Sequence, residues 1–156
     1  MAGIGKRRWP GILGGCALIF VTVGTQLAFD RLIGTIDEWA GMHPSTKVIA
    51  QVGPSRLLTK HIEAVDFLSP SLANQYFGSA EIIIAHAGMG SVLTALNMKK
   101  PLLIMPRKAS LGEHRNEHQL ATARWLKEKP GVYVAEDESE LLTLLDRLPE
   151  MVCSNG

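Results

Sequence analysis

Two strings of residues in this 156-residue chain have the types and spacing for chemistry. The first is His86-Ala-Gly-Met-Gly-Ser91. Gly88 and Gly90 let the backbone turn sharply and come close to a ligand. The helix that follows offers unpaired backbone N–H groups and the positive end of its dipole, and Ser91 adds a hydroxyl. Together these hold a phosphate or pyrophosphate. A strand-to-helix turn with no ligand can use the same residues, and for an isolated Gly-x-Gly that plainer reading would stand. The pattern is not the dinucleotide fingerprint, which lies after a first strand with an acidic residue about twenty positions on. No Gly-Lys-Ser/Thr follows it, so NAD and ATP chemistry are both disfavoured.

The second string decides between the two readings. It is Pro106-Arg-Lys-Ala-Ser-Leu-Gly-Glu-His-Arg-Asn-Glu-His-Gln119. Carboxylate, amide and imidazole groups crowd into it, the mixture that sugar hydroxyls need. Arg107 or Lys108 can balance phosphate charge. His114 and His118 lie four apart, as a metal pair on a helix would, but no third ligand accompanies them and no metal is expected. The plain alternative is a solvated loop that caps the next helix. A third, weaker string is Thr22-Val-Gly-Thr25, where Gly24 suits a tight turn and Thr25 and Gln26 offer polar groups.

These strings need elements to hold them. Short apolar runs predict strands at 18–23, 48–51, 64–67, 82–85, 102–105 and 132–135. Helical patterns fall at 27–40, 72–77, 91–96, 117–128 and 138–148. Several strands are continuously apolar, as strands covered by helices on both faces are. Alternation of strands and helices at this spacing predicts an α/β fold, a doubly wound and mostly parallel sheet of about six strands. In such sheets ligands bind at the carboxyl ends of the strands, where all three strings lie. Asp137 is the expected cap of the last helix, and Ser69 or Ser71 that of the short helix at Leu72. Trp39, Met42, Met89 and Leu111 are expected in exposed loops, and Trp125 in the core.

Composition sets limits. The chain is 46% hydrophobic and 20% charged, with net charge +1. That is ordinary for one soluble domain, and no basic field points to nucleic acid. Cys16 and Cys153 have no metal-type spacing and read as reduced thiols. Lys6, Arg7 and Arg8 precede a charge-free run from position 9 to 29. Pro10, Gly11, Gly14 and Gly15 break it, so neither a signal peptide nor a membrane span is expected. Residues 1–16 read as a basic mobile tail, 17–150 as the domain and 151–156 as a short tail.

Phe20-Val-Thr-Val-Gly-Thr25, the His86–Ser91 turn, Lys100-Pro-Leu-Leu-Ile-Met-Pro-Arg107 and Gly112-Glu-His-Arg-Asn-Glu-His-Gln119 together resemble the glycosyltransferase family 28 C-terminal domain. The resemblance runs from about Ala17 to Leu148. It is strongest to small stand-alone versions, such as the subunit that adds the second GlcNAc to dolichol-linked oligosaccharide and the small subunit of bacterial exopolysaccharide glucuronosyltransferases. It implies one Rossmann-like half of a GT-B enzyme that holds a UDP-sugar. A membrane-anchored subunit would bind the lipid-linked or polysaccharide acceptor, keeping the chain at the cytoplasmic face of a membrane. By position, the turn His86 to Ser91, with Gly88, Met89 and Gly90 inside it, would sit at the diphosphate; Gly24, Thr25 and Arg107 are further donor-binding candidates. Glu113, His114, His118 and Gln119 would face the donor sugar and diphosphate. Gln119 matches a glutamine that touches the donor sugar in the peptidoglycan GlcNAc transferase. Thr94 stands near the place of that enzyme's ribose-binding glutamate.

The implied reaction is transfer with inversion at the anomeric carbon, with neither metal nor cofactor. The candidate catalytic side chains are His86, Glu113 and His118, with His86, His118 or a partner residue as general base. A non-catalytic nucleotide-sugar-binding subunit and another UDP-sugar enzyme such as an epimerase are the alternatives. The donor-site reading requires Gly88 and Gln119 to border one pocket. GlcNAc, glucuronic acid, glucose and galactose donors all fit the same loop chemistry.

Overall fold

The computed structural model describes residues 17–24, 27–44, 46–111, 113 and 118–147. The elements run β1 (Ala17–Thr22), α1 (Asp30–Gly41), β2 (Thr46–Gln51), β3 (Glu63–Val65), α2 (Pro70–Ser79), β4 (Ile82–His86), α3 (Met89–Asn97), β5 (Leu102–Met105), α4 (His118–Leu126), β6 (Val132–Val134) and α5 (Glu138–Leu145). A single 3-10 turn, Ala109–Leu111, lies in the long connection after β5. The six strands form one sheet in the order β3-β2-β1-β4-β5-β6, and every pairing is parallel. This is the expected α/β fold. The strand order reverses direction between β1 and β4, and a sheet of this kind opens a crevice there at its carboxyl edge.

The continuously apolar strands are buried from both sides. Ile19 and Val21 pack with α1 and α5 through Leu32, Ile36, Leu141 and Leu145. Phe20 and Ile83 face the opposite layer, with Phe77 of α2, Val92 and Ala95 of α3, and Ala123 and Leu126 of α4. The charge-free run at 9–29 therefore contains a core strand in its described part. Among the described residues no helix is long and apolar enough to cross a membrane. Cys16, Cys153 and both expected tails, 1–16 and 151–156, lie outside the described residues.

Caps fall where chemistry places them. Asp137 accepts from Glu140 N at 2.8 Å, and Glu138 and Glu140 sit in the first turn of α5, facing the positive end of its dipole. Ser69 rather than Ser71 caps α2, accepting from Leu72 N at 3.2 Å, with Pro70 opening the helix. The β2–β3 connection carries no helix. Asp37 of α1 holds it instead, its carboxylate accepting from the backbone N–H groups of Lys60, His61 and Ile62.

Three expectations change. Helix α1 starts at Asp30, not at 27, because the carbonyls of Leu27 and Ala28 accept from the Arg107 guanidinium and Phe29 turns into the core. Trp39 is buried at 3% exposure, since it continues the Leu32–Ile33–Ile36 face of α1, and its Nε1 donates to Asp146 at 3.2 Å. Trp125 is the exposed tryptophan, at 61%. Helix α4 turns Ala123 and Leu126 inward, which leaves the indole outside beneath the Lys129 ammonium.

Candidate functional site

At the crevice between β1 and β4, the last residue of β4 is His86. Its imidazole lies between two glycines. A β-carbon added to Gly88 would stand 2.6 Å from His86 Nε2 and closer still to Cε1, and one added to Gly24 would stand 3.3 Å from Nε2. Gly24 also has φ +78°, a conformation that excludes most side chains. The two glycines are therefore required by the ring between them. Thr22 Oγ1 accepts from Gly24 N at 3.3 Å and from the buried Gln51 amide at 3.0 Å, which ties the turn to β2.

The other edge of the ring meets the second string. Gln119 Nε2 lies 3.2 Å from His86 Nδ1, and Arg107 Nε lies 3.5 Å from it. Gln119 Oε1 accepts from Arg107 N at 3.0 Å. Gly88 and Gln119 thus border the same imidazole, 33 positions apart in the case of Gln119. The two strings converge.

Beneath the ring lies Arg107, 2% exposed. Its guanidinium donates to the carbonyls of Val23, Leu27 and Ala28 at 2.7–2.8 Å and to that of Glu113 at 3.3 Å. It also rests 4.9 Å above the Phe29 ring. Burial lowers its pKa, and the nearby Glu113 carboxylate opposes that shift. Its donors thus meet four main-chain oxygens and His86 Nδ1, and it fastens Val23, Leu27 and Ala28 to the floor of the site.

Glu113 is also engaged within the protein. Its carboxylate forms two 2.8 Å hydrogen bonds with Arg31 of α1 and accepts from Lys108 N at 2.9 Å. Arg31 reaches Pro106 O at 3.3 Å as well. The Arg31 pKa is raised, first by the bond to Glu113, with burial opposing and the charges of Glu113 and Glu138 adding to the rise. A carboxylate held by a bidentate arginine clamps its loop to α1. Glu113→Gln is expected to destabilise the fold by about 1–3 kcal/mol in urea unfolding, because it weakens one partner of a mostly buried pair. Arg31→Ala combined with Glu113→Gln should cost clearly less than the sum of the two single changes.

The remaining residues of the first string form the helix entry. Gly88 is the N-cap of α3, and no side chain caps it. Met89 and Gly90 are exposed and Ser91 is half-buried. The first N–H groups of an α-helix have no partner within it. Thr94 lies one turn on, its hydroxyl donating to Gly90 O at 2.9 Å. Thr25 and His114 lie outside the described residues, and so does the side chain of His118, whose backbone opens α4. Among the described residues no group of three His, Cys, Asp or Glu side chains could hold a metal ion.

Sequence reasoning missed Arg31, Phe29 and Gln51. Arg31 carried one signal: a cation in the first turn of a helix opposes the dipole and calls for an anionic partner. Nothing in the sequence named that partner, 82 positions away.

The profile of the glycosyltransferase family 28 C-terminal domain matches residues 18–153. The chain belongs to that family. The match takes in all three strings of this family 28 domain. A 56-residue stretch is 34% identical to the UDP-N-acetylglucosamine transferase subunit ALG13 of Candida albicans, covering 36% of this chain and 19% of that protein. The domain thus matches about a fifth of that relative's length. Among solved structures, an NMR structure of ALG13 has the same fold, with a TM-score of 0.61 at 19% identity over 85% of each chain. The calicheamicin glycosyltransferase CalG4 gives 0.62 at 15% identity, covering 97% of the family 28 domain and 41% of CalG4. A UDP-GlcNAc 2-epimerase from Neisseria meningitidis gives 0.62 at 12% identity, covering 94% and 39%. The fold is that of a GT-B half, and it is shared by enzymes of more than one chemistry.

Proposed function

We propose that this family 28 domain is the donor-binding subunit of an inverting glycosyltransferase that uses a UDP-sugar. One observation carries the reading: Gly24, Gly88 and Gln119, from the end of β1, the entry to α3 and the start of α4, close on His86 at the crevice of the sheet, beside the N-terminus of α3. Family membership supports it, and so does a structural neighbour solved in complex with UDP, Os79 of O. sativa, with a TM-score of 0.63 at 14% identity.

In the proposed reaction the acceptor hydroxyl oxygen attacks the anomeric carbon from the face opposite the diphosphate. The bond from that carbon to the β-phosphate oxygen breaks, and its electron pair leaves with UDP. The acceptor's proton passes to a general base. Backbone N–H groups of Met89, Gly90 and Ser91 and the dipole of α3 stabilise the charge that builds on UDP. The acceptor is a lipid-linked or polysaccharide chain held by a membrane-anchored subunit, which keeps this domain at the cytoplasmic face. UDP-sugar is a substrate, and no cofactor or metal takes part, so EDTA is expected to leave the rate unchanged.

Gly90 offers a test. A β-carbon there meets no protein atom within 4 Å. Gly90→Ala should fold as the wild type does, and it should weaken UDP binding roughly tenfold by crowding the diphosphate, a loss of about 1.4 kcal/mol. Calorimetric titration of the chain with UDP and a panel of UDP-sugars, with and without a candidate partner, tests the whole reading. Failure of UDP and every UDP-sugar to bind in both settings would reject it. Product analysis separates it from epimerisation, which needs no acceptor.

A further inference from the structure

All six strands are parallel, so their first residues lie along one edge of the sheet, opposite the crevice. At the β5–β6 end of that edge two connections run side by side, with Leu102 N donating to Gly131 O at 2.9 Å. The one from α3 carries Met98, Lys99 and Lys100, and the one from α4 carries Lys127, Glu128 and Lys129. Trp125 stands beside them, its exposed indole 4.5 Å from the Lys129 ammonium, and Met98 is exposed as well. The Lys100 ammonium is held by the carbonyls of Gly78 and Ala80, both at 2.9 Å. Glu81 lies close enough for the Lys100 charge to oppose the rise that burial imposes on its pKa. Lys99 has φ +56°, and its N–H and that of Lys100 donate to Leu96 O and Ala95 O, a helix ending that usually carries glycine at this position. A lysine there presents a charge that the backbone does not require.

We propose that this corner is a contact surface for an anionic lipid bilayer, with the lysine ammoniums among the headgroups and the Trp125 indole at their level. An indole has an apolar body and a polar N–H, which suits the boundary between headgroups and acyl chains. Each lysine near an anionic surface adds to the attraction, and four in two adjacent connections form a cluster of the size that such surfaces hold. Lys6, Arg7 and Arg8 add three cations to the chain that enters β1, which starts on the same edge. The run Glu136, Asp137, Glu138 and Glu140 follows β6 at the opposite edge. A net charge of +1 therefore hides a separation of charge that turns the lysine corner toward an anionic surface. Contact at this corner leaves the crevice uncovered, and the inference does not rest on the UDP-sugar reading.

Flotation of the full chain with vesicles tests this. Vesicles of phosphatidylcholine with about one-third phosphatidylglycerol should carry the chain, those of phosphatidylcholine alone should not, and salt should weaken the binding. Lys99→Asn combined with Lys127→Gln should lower partition by about tenfold or more. Asparagine tolerates the left-handed backbone at position 99, and an unchanged thermal unfolding curve would show that the variant folds. Equal binding to both kinds of vesicle, binding to neither, or full binding by the double variant would overturn the proposal. Replacing Lys6, Arg7 and Arg8 by glutamine should reduce binding only in part. A loss that this triple variant alone produces would assign the contact to the segment before β1 and overturn the role of the corner.

Trp125 supplies the second arm. In a Trp9→Phe background, anionic vesicles with brominated acyl chains should quench the exposed indole, and Trp125→Phe should abolish that quenching because Trp39 is buried. Quenching that survives Trp125→Phe would overturn the proposal. So would a single-stranded oligonucleotide that binds more tightly than anionic vesicles at equal salt, which would make the corner a nucleic-acid surface. UDP titration reads the other edge of the sheet, so none of these outcomes bears on the donor site.

Discussion

Gly88→Ala is expected to reduce transfer by about a hundredfold or more, the scale of losing a transition-state hydrogen-bond donor. The added carbon would fall within 2.6 Å of His86 Nε2. A flexible side chain could swing away, but this ring is held at its far edge by Gln119 and Arg107. Either the ring leaves its partners or the turn into α3 shifts, and both displace the groups proposed to meet the diphosphate. The unfolding cost should be smaller, about 1–3 kcal/mol, the range for one extra carbon in a packed site. Steady-state kinetics and urea unfolding of the same variant check both halves. Wild-type kinetics would show that the ring and the turn do not act together.

Arg107→Met should produce the largest loss of stability, about 3–5 kcal/mol by urea or thermal unfolding. Methionine fills much of the volume but donates nothing. The carbonyls of Val23, Leu27, Ala28 and Glu113 would lose their guanidinium partner, and those of Leu27 and Ala28 are among the contacts that keep these two residues out of α1. Buried acceptors without a donor carry most of that cost. Arg107→Lys should recover only part of it, because one ammonium cannot match the planar fork. A variant as stable as wild type would mean that the loop is held by other contacts.

The fold was legible because the physics that sets it is local. Runs such as Ile82–Ile83–Ile84 can only be buried strand, and Gly88 followed by Ser91 can only enter a helix through a turn. The glycine string also pointed correctly to the neighbourhood of Gln119. Roles within that neighbourhood were not legible. Arg107 and Glu113 look alike in sequence whether they face a ligand or the protein, and only the folded positions of Val23, Leu27, Ala28 and Arg31 show that partners are already present. Trp39 and Trp125 exchanged places for a related reason. Trp39 continues the apolar face of α1 set by Leu32, Ile33 and Ile36, whereas α4 is short and mostly polar and turns Ala123 and Leu126 inward, which leaves Trp125 outside.

The absence of a helix between β2 and β3 leaves that margin of the sheet with few side-chain ties. Strand β3 is three residues long, and the chain leading to it is held to α1 by the Asp37 carboxylate near residue 60, with Thr59 Oγ1 donating to Ile62 O at 3.2 Å within the segment. Leu58, almost wholly exposed, sits in the middle of that span. Such a rim opens before the rest of the molecule does. A protease that cuts after leucine should therefore nick the native chain first near Leu57 and Leu58, and Asp37→Asn should quicken that cleavage while the remaining five strands stay folded.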